Sequence, residues 1–214
     1  DWTIFFVTVP SNKIELWAWL ESDRLNDPVF REFYAERDVV HEERRTVLES
    51  SPTGELDEQF DAMFWQSSPY AWPVVGRPSD ICSYTREQFD RYFDVYYRPN
   101  NLVGVLVGDF DPETVTPMLR EYFGRLERGE QDPPPVITLQ TPQVAGMRLH
   151  GECGCQPQVE MRYHTVAFNH RDSFALEIMA EILNGRTGRL YRSMVEGANI
   201  ASSVAAGQDS RKYA

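Results

Sequence analysis

Arg98-Pro-Asn-Asn-Leu-Val-Gly-Val-Leu-Val-Gly-Asp-Phe-Asp-Pro112 is the stretch whose reading decides the fold. Its first four residues stop a helix, because proline cannot supply the next N–H and the asparagines favour a turn. Leu102–Gly108 is an uninterrupted apolar run about one strand long, read as a buried β-strand. Asp111-Pro112 starts a new helix, with the aspartate as cap and the proline at the first helical position. That helix is expected to end near Phe123-Gly124. The unit reads helix, buried strand, helix.

The same alternation extends outward. Trp2-Thr-Ile-Phe-Phe-Val-Thr-Val9 reads as a strand, and Pro10-Ser11-Asn12 ends it and offers a cap for a short helix over Ile14, Trp17 and Leu20. Asn26-Asp27-Pro28 is a second start signal, with Asp27 as cap. The helix it opens carries Phe30, Phe33, Val40 and Val47 at helical spacing to about Leu48, and Ser50–Gly54 breaks it. Leu56–Trp65 is a further helix, and residues 67–84 form a proline-rich loop. Thr85-Arg-Glu-Gln88 is a capping box, in which each end satisfies a free amide of the other. Downstream, strands are expected near Gly146–Gly151 and Val159–Phe168. Asp172 is the expected cap of a helix closing at Asn184-Gly185, with a shorter helix over Arg189–Met194. Loose alternation with few hairpin signals predicts an α+β fold. The charged, proline-rich segment 127–143 reads as a linker between residues 1–126 and 144–214.

Composition narrows the function classes. Of 214 residues 42% are hydrophobic, and Trp, Tyr and Phe number 5, 10 and 12, which excludes a disordered acidic tail. A net charge of −12 argues against nucleic acid as a partner, since phosphate binding asks for a basic patch. The longest apolar runs fall far short of the roughly 20 residues of a membrane span. Cys82, Cys153 and Cys155 form no disulfide framework. His150 with Cys153 and Cys155 lacks a fourth ligand at zinc-site spacing. No Gly-x-Ser-x-Gly, phosphate loop or dinucleotide fingerprint occurs. His170-Arg171-Asp172 matches a kinase tripeptide without the rest of that signature.

Glu36-Arg-Asp-Val-Val-His-Glu-Glu-Arg-Arg45 is the segment in which chemistry can be sought. On a helix, residues seven apart differ by about 20° in direction, so Glu36 and Glu43 stand in line two turns apart. His41 points elsewhere. Taken alone, the pattern reads first as a solvated helix salt-bridged through Arg37, Arg44 and Arg45. The other reading is a pair of carboxylates serving a metal, one as ligand and one as its support.

The ordered set Val9-Pro-Ser-Asn-Lys13, Glu21-Ser-Asp-Arg-Leu25, the Glu36–Arg45 helix, Ser68-Pro-Tyr70 with Pro73-Val-Val-Gly76, Tyr97-Arg-Pro-Asn-Asn101, Val107-Gly-Asp-Phe-Asp-Pro112, Leu183-Asn-Gly185 and Gly188-Arg-Leu-Tyr-Arg192 resembles the pitrilysin/insulinase-type zinc metallopeptidases, in particular processing-peptidase-like members. The resemblance implies two related domains, each a mainly antiparallel sheet with helices on one side. The first would be incomplete at its N-terminus and the second at its C-terminus, as in a fragment of a longer chain. It implies peptide hydrolysis with one zinc ion per intact active site, bound by two histidines of a His-x-x-Glu-His motif and a glutamate on a later helix. That glutamate corresponds to Glu43, and Glu36 to the family's supporting carboxylate. None of His41, His150, His164 and His170 belongs to such a motif, so the general base is expected upstream of Asp1. The family's substrate-holding Arg and Tyr correspond to Val195 and Ser202. A zinc-bearing half of a two-part endopeptidase is therefore expected, with a partner subunit or later half supplying the Arg and Tyr. The alternative is a non-catalytic homologue acting as a scaffold or peptide-binding subunit. No residue here sets a compartment; analogy with the family favours the bacterial periplasm. The reading frame preceding Asp1 is predicted to encode His-x-x-Glu-His within a few tens of residues. Sequencing that region checks it, and its absence would select the scaffold.

Overall fold

The computed structural model describes residues 2–213; Asp1 and Ala214, the outer limits of the two expected domains, lie outside the described residues. The α-helices are α1 (Ile14–Asn26), α2 (Phe33–Arg44), α3 (Gly54–Phe64), α4 (Pro78–Ser83), α5 (Arg86–Tyr96), α6 (Pro112–Phe123) and α7 (Ser173–Leu183). Short 3-10 turns occupy Ser11–Lys13, Pro69–Ala71 and Pro99–Asn101. Wider π turns occupy Arg45–Glu49, directly after α2, and Tyr191–Gly197.

The expected α+β fold is overturned: among the described residues there is no β-strand. The stretches read as strands, 2–9, 102–108, 146–151 and 159–168, run without a ladder. A strand exists only when a neighbour repeatedly takes up its N–H and C=O groups. Among the described residues, long-range backbone pairing is confined to the Phe168 N–H, which donates to the Arg211 carbonyl at 2.6 Å. The run read as buried is also solvent-facing, with Val103, Val105 and Val107 exposed by 76% or more. Apolar character identified a segment suited to burial but could not provide the partner that burial requires.

The helical half of the reading fared better, with local corrections. The Thr85 capping box forms: the Gln88 N–H donates to Thr85 Oγ1 at 3.3 Å, and the Thr85 N–H donates to Gln88 Oε1 at 2.9 Å. Asp111 caps α6, accepting from the Glu113 N–H at 3.1 Å and the Thr114 hydroxyl at 2.6 Å. Asp27 caps no helix start, because α2 starts only at Phe33; it closes α1 instead, its N–H donating to the Asp23 carbonyl at 3.0 Å. Ser11 and Asn12 lie in a turn that runs straight into α1. Asp172 precedes α7 without a side-chain cap; its own N–H donates to His170 Nδ1 at 3.2 Å. The expected helix over Arg189–Met194 becomes the π turn ending at Gly197.

The helices associate in local groups. α1 lies on α6, where Trp17 meets Phe123 at 5.7 Å between centroids. Phe33 packs edge-on against Phe89, which ties α2 to α5; Phe30, ahead of α2, packs on the same ring, and Phe93 stacks on Tyr97 at the end of α5 at 5.1 Å. Each such pair contributes about 1 kcal/mol beyond its area burial. α3 carries the seam to the C-terminal region: Phe64 stacks on His164 at 4.0 Å, and Arg162 lies over the Phe60 ring and pairs with Asp61. Asn184, just past α7, clasps the far extended segment, its amide donating to the Ala206 carbonyl and its Oδ1 accepting the Ala206 N–H at 2.7 Å.

Two predictions test the caps. Thr85→Ala should destabilise the chain by about 1 kcal/mol in urea unfolding. The Thr114 hydroxyl, and then the Glu113 N–H, hold the Asp111 carboxyl below its ordinary value of 3.8. A lowered native pKa stabilises the fold above the ordinary carboxylate range and loses that effect as pH falls through the lowered value. Asp111→Ala should therefore depress the melting temperature at neutral pH. The difference from the parent should shrink as the pH falls below the ordinary carboxylate range.

Candidate metal-supporting helix

α2 presents Glu36 in its first turn and Glu43 next to its last residue. Seven residues of helix separate their Cα atoms by about 10 Å along the axis, with nearly the same direction. Both side chains are exposed. The flanking arginines are salt-bridged, as the pattern suggests, but to carboxylates other than Glu36 and Glu43; Arg37 Nε lies 3.9 Å from Asp38 Oδ1. Arg37 donates through Nη1 to the Cys82 carbonyl at 3.0 Å and lies over the Tyr34 ring at 5.1 Å. Arg44 turns inward, donating to the Gly76 carbonyl at 2.9 Å and to Glu58 Oε2 at 2.5 Å. Arg45 pairs with Glu42 at 2.8 Å. Among the described residues, no Lys, Arg or His forms an ion pair with Glu36 or Glu43. Three arginines within a few residues thus leave both carboxylates uncommitted.

The histidines do not join them. His41 is half-buried on α2, His150 is exposed, and His164 is stacked between Phe64 and Trp65. His170 sits at the start of α7, with Nδ1 3.7 Å from Asp172. Cys153 and Cys155 are joined by a disulfide across Gly154, a local bridge that the cysteine count did not suggest. Among the described residues, no group of three or more His, Cys, Asp or Glu comes together as a metal centre. The residues present fit one ligand, a free carboxylate on a regular helix, with a second carboxylate in line behind it. The remaining donors of a zinc site are not among them.

Val195 lies half-buried in the π turn Tyr191–Gly197, and Ser202 is exposed in a bend beyond it. An isopropyl group and a short hydroxyl carry no cation and no phenol for holding a substrate carbonyl. Sequence reasoning missed Arg44 as a buried residue. The partners that bury it, Glu58 and Gly76, lie 14 and 32 positions away, beyond any local pattern.

Comparison with known proteins adds the family. A family model described as "Peptidase M16 inactive domain" matches residues 83–213 and leaves the helix bearing Glu36 and Glu43 outside the matched stretch. The chain is 29% identical over 177 residues to the zinc protease PqqE of Helicobacter pylori, covering 81% of this chain and 40% of that protein. It is 29% identical over 174 residues to an uncharacterized zinc protease of Mycobacterium leprae, covering 79% and 38%. The mitochondrial-processing peptidase subunit beta of Dictyostelium discoideum is 23% identical over 177 residues, covering 79% and 37%. The chain therefore spans about two-fifths of the length of these relatives. A crystal structure of a protease from Helicobacter pylori shares its fold, with a TM-score of 0.74 at 23% identity over 94% of this chain and 50% of that one. With a family model matching more than half its length, the chain belongs to the peptidase M16, or pitrilysin-type, family.

Proposed function

We propose that this chain is part of the zinc-bearing half of a two-part metalloendopeptidase that cleaves peptides or unfolded segments. In this reading, residues 1–126 are the later part of the zinc-bearing domain, 127–143 the linker, and 144–214 the start of the second domain. The observation that carries it is the pair Glu36 and Glu43, aligned on α2, exposed and free of ion pairs. Neither has an arginine three or four residues away, so the helix itself offers them no cation. The zinc-protease names of the relatives point the same way.

Glu43 supplies one carboxylate ligand, and Glu36 stands behind it to orient the site. Zinc held there by Glu43 and the two histidines would supply Lewis-acid chemistry for a peptide carbonyl and for a water. The two histidine ligands and the general base belong to the His-x-x-Glu-His segment expected upstream of Asp1. Because Val195 has no donor and Ser202 only a short hydroxyl where the family carries Arg and Tyr, the arginine and tyrosine for holding substrate come from a partner subunit or a later half of the polypeptide. The fragment by itself is inactive.

Two measurements test this reading on the full-length protein. Glu43→Gln should strip bound zinc, read by metal analysis, while its melting temperature without metal stays at the parent value, since an exposed, unpaired side chain contributes within about 0.5 kcal/mol. Retained zinc in the folded variant removes Glu43 from the site. Glu36→Gln should lower zinc affinity about tenfold without abolishing binding. Zinc-free protein that nonetheless captures unfolded peptides would favour the scaffold.

A further inference from the structure

We propose that Arg44 is the positioning residue of the metal-supporting helix, setting the direction of Glu43 through a two-pronged anchor to Glu58 and the Gly76 carbonyl. The inference rests on the reading of Glu43 as a ligand. It begins from the unusual burial of α2. Arg44 is the buried residue of that helix, 5% exposed, whereas Tyr34, Val39 and Val40 face solvent. Apolar packing therefore does not hold the last turn in place.

Arg44 does so with directional bonds. Its Nη1 donates to the Gly76 carbonyl at 2.9 Å and its Nη2 to Glu58 Oε2 at 2.5 Å, while Nε lies 3.7 Å from Glu49 Oε1. The two acceptors belong to α3 and to the turn before α4, and Glu49, an ion-pair neighbour only, belongs to the π turn that follows α2. A planar guanidinium gripping two acceptors at once cannot rotate without breaking one of them. Glu43 is the preceding residue of the same regular helix, so its direction follows that of Arg44 by a rotation of about 100°. The grip is applied where the helix is about to lose its regular form. Immediately after Arg44 the backbone widens, and the Ser50 N–H donates to the Arg45 carbonyl at 2.9 Å, five residues back. Without an anchor at Arg44, the wider turn could spread back into α2 and swing Glu43 away from its line with Glu36.

The receiving end is also built for its task. Gly76 adopts φ +86°, a conformation that side-chain-bearing residues rarely take, and a Cβ there would lie 3.4 Å from the buried Ile81. Its carbonyl is thus presented to Arg44 from a seated turn.

The experiment uses the full-length protein and three variants: Arg44→Lys, Glu58→Gln and the double Arg44→Met/Glu58→Met. Lysine keeps the charge but lacks the fork. The apolar pair removes the anchor and both buried charges, an exchange that often preserves stability. Zinc affinity is read by competition with a chromophoric chelator, and site geometry by the visible absorption of the cobalt(II)-substituted protein. The expected result is about a tenfold loss of zinc affinity and an altered cobalt spectrum in Arg44→Lys and in the double variant, with parent-like thermal melting in the double variant and a lowered melting temperature in Arg44→Lys, which loses the fork to a largely buried carboxylate. A purely structural role would be restored by the apolar pair; a positioning role would not. Unchanged zinc affinity and cobalt spectrum in folded variants would overturn the proposal. Should the double variant fail to fold, Arg44→Lys and Glu58→Gln decide by the same readouts. Glu43→Gln separates the two levels. If it keeps its zinc, the ligand reading falls; if it loses zinc while the Arg44 variants retain it, only the anchor falls.

Discussion

A single buried cation organises the first half of this chain. Arg44 draws the end of α2, Glu58 in the middle of α3 and the turn ahead of α4 onto one guanidinium. Desolvating an arginine costs several kcal/mol, and only well-made hydrogen bonds to opposite charge offset it. The side chain of Glu58, 17% exposed, and the Gly76 carbonyl provide them. The carboxylates at Glu36 and Glu43 face solvent without ion pairs, and no arginine of α2 stands three or four residues from either.

Elsewhere the same economy of contacts recurs. The seam between α3 and the C-terminal region is made by an arginine and a histidine against aromatic rings, not by an extended apolar layer. Arg162 is flanked by Asp61 and Glu160 and covered by Phe60. Burial works against its charge, yet the hydrogen bonds to Glu160 and Asp61 prevail and raise its pKa. His164 is held between Phe64 and Trp65. Such point contacts set relative placement while leaving the extended segments on either side without ladders.

Helix starts were legible where the signal is local. Thr85 with Gln88, and Asp111 with Pro112, need only residues within one turn, so the sequence contains the whole device. Asp27 and Asp172 carry the same chemistry but form no N-cap: α2 begins further on, and the Asp172 carboxylate lies beside His170 and Arg171 instead of accepting an α7 amide. Strands were not legible for the converse reason. Val103, Val105 and Val107 suit a sheet, but a sheet is a relation between segments, and the hydrogen-bonding partner is encoded elsewhere if at all.

The sequence by itself determined the helical spacing that aligns Glu36 with Glu43, the missing His-x-x-Glu-His motif, and the ordered motifs that identify the family. These depend on chain order and on the fixed rotation per helical residue. Only the tertiary structure decided that the extended runs remain unpaired, that Arg44 is buried, and that the two carboxylates are left free. Each of these turns on groups brought together from distant positions, Glu58 and Gly76 above all, and no local pattern specifies which distant group a long, flexible arginine will reach.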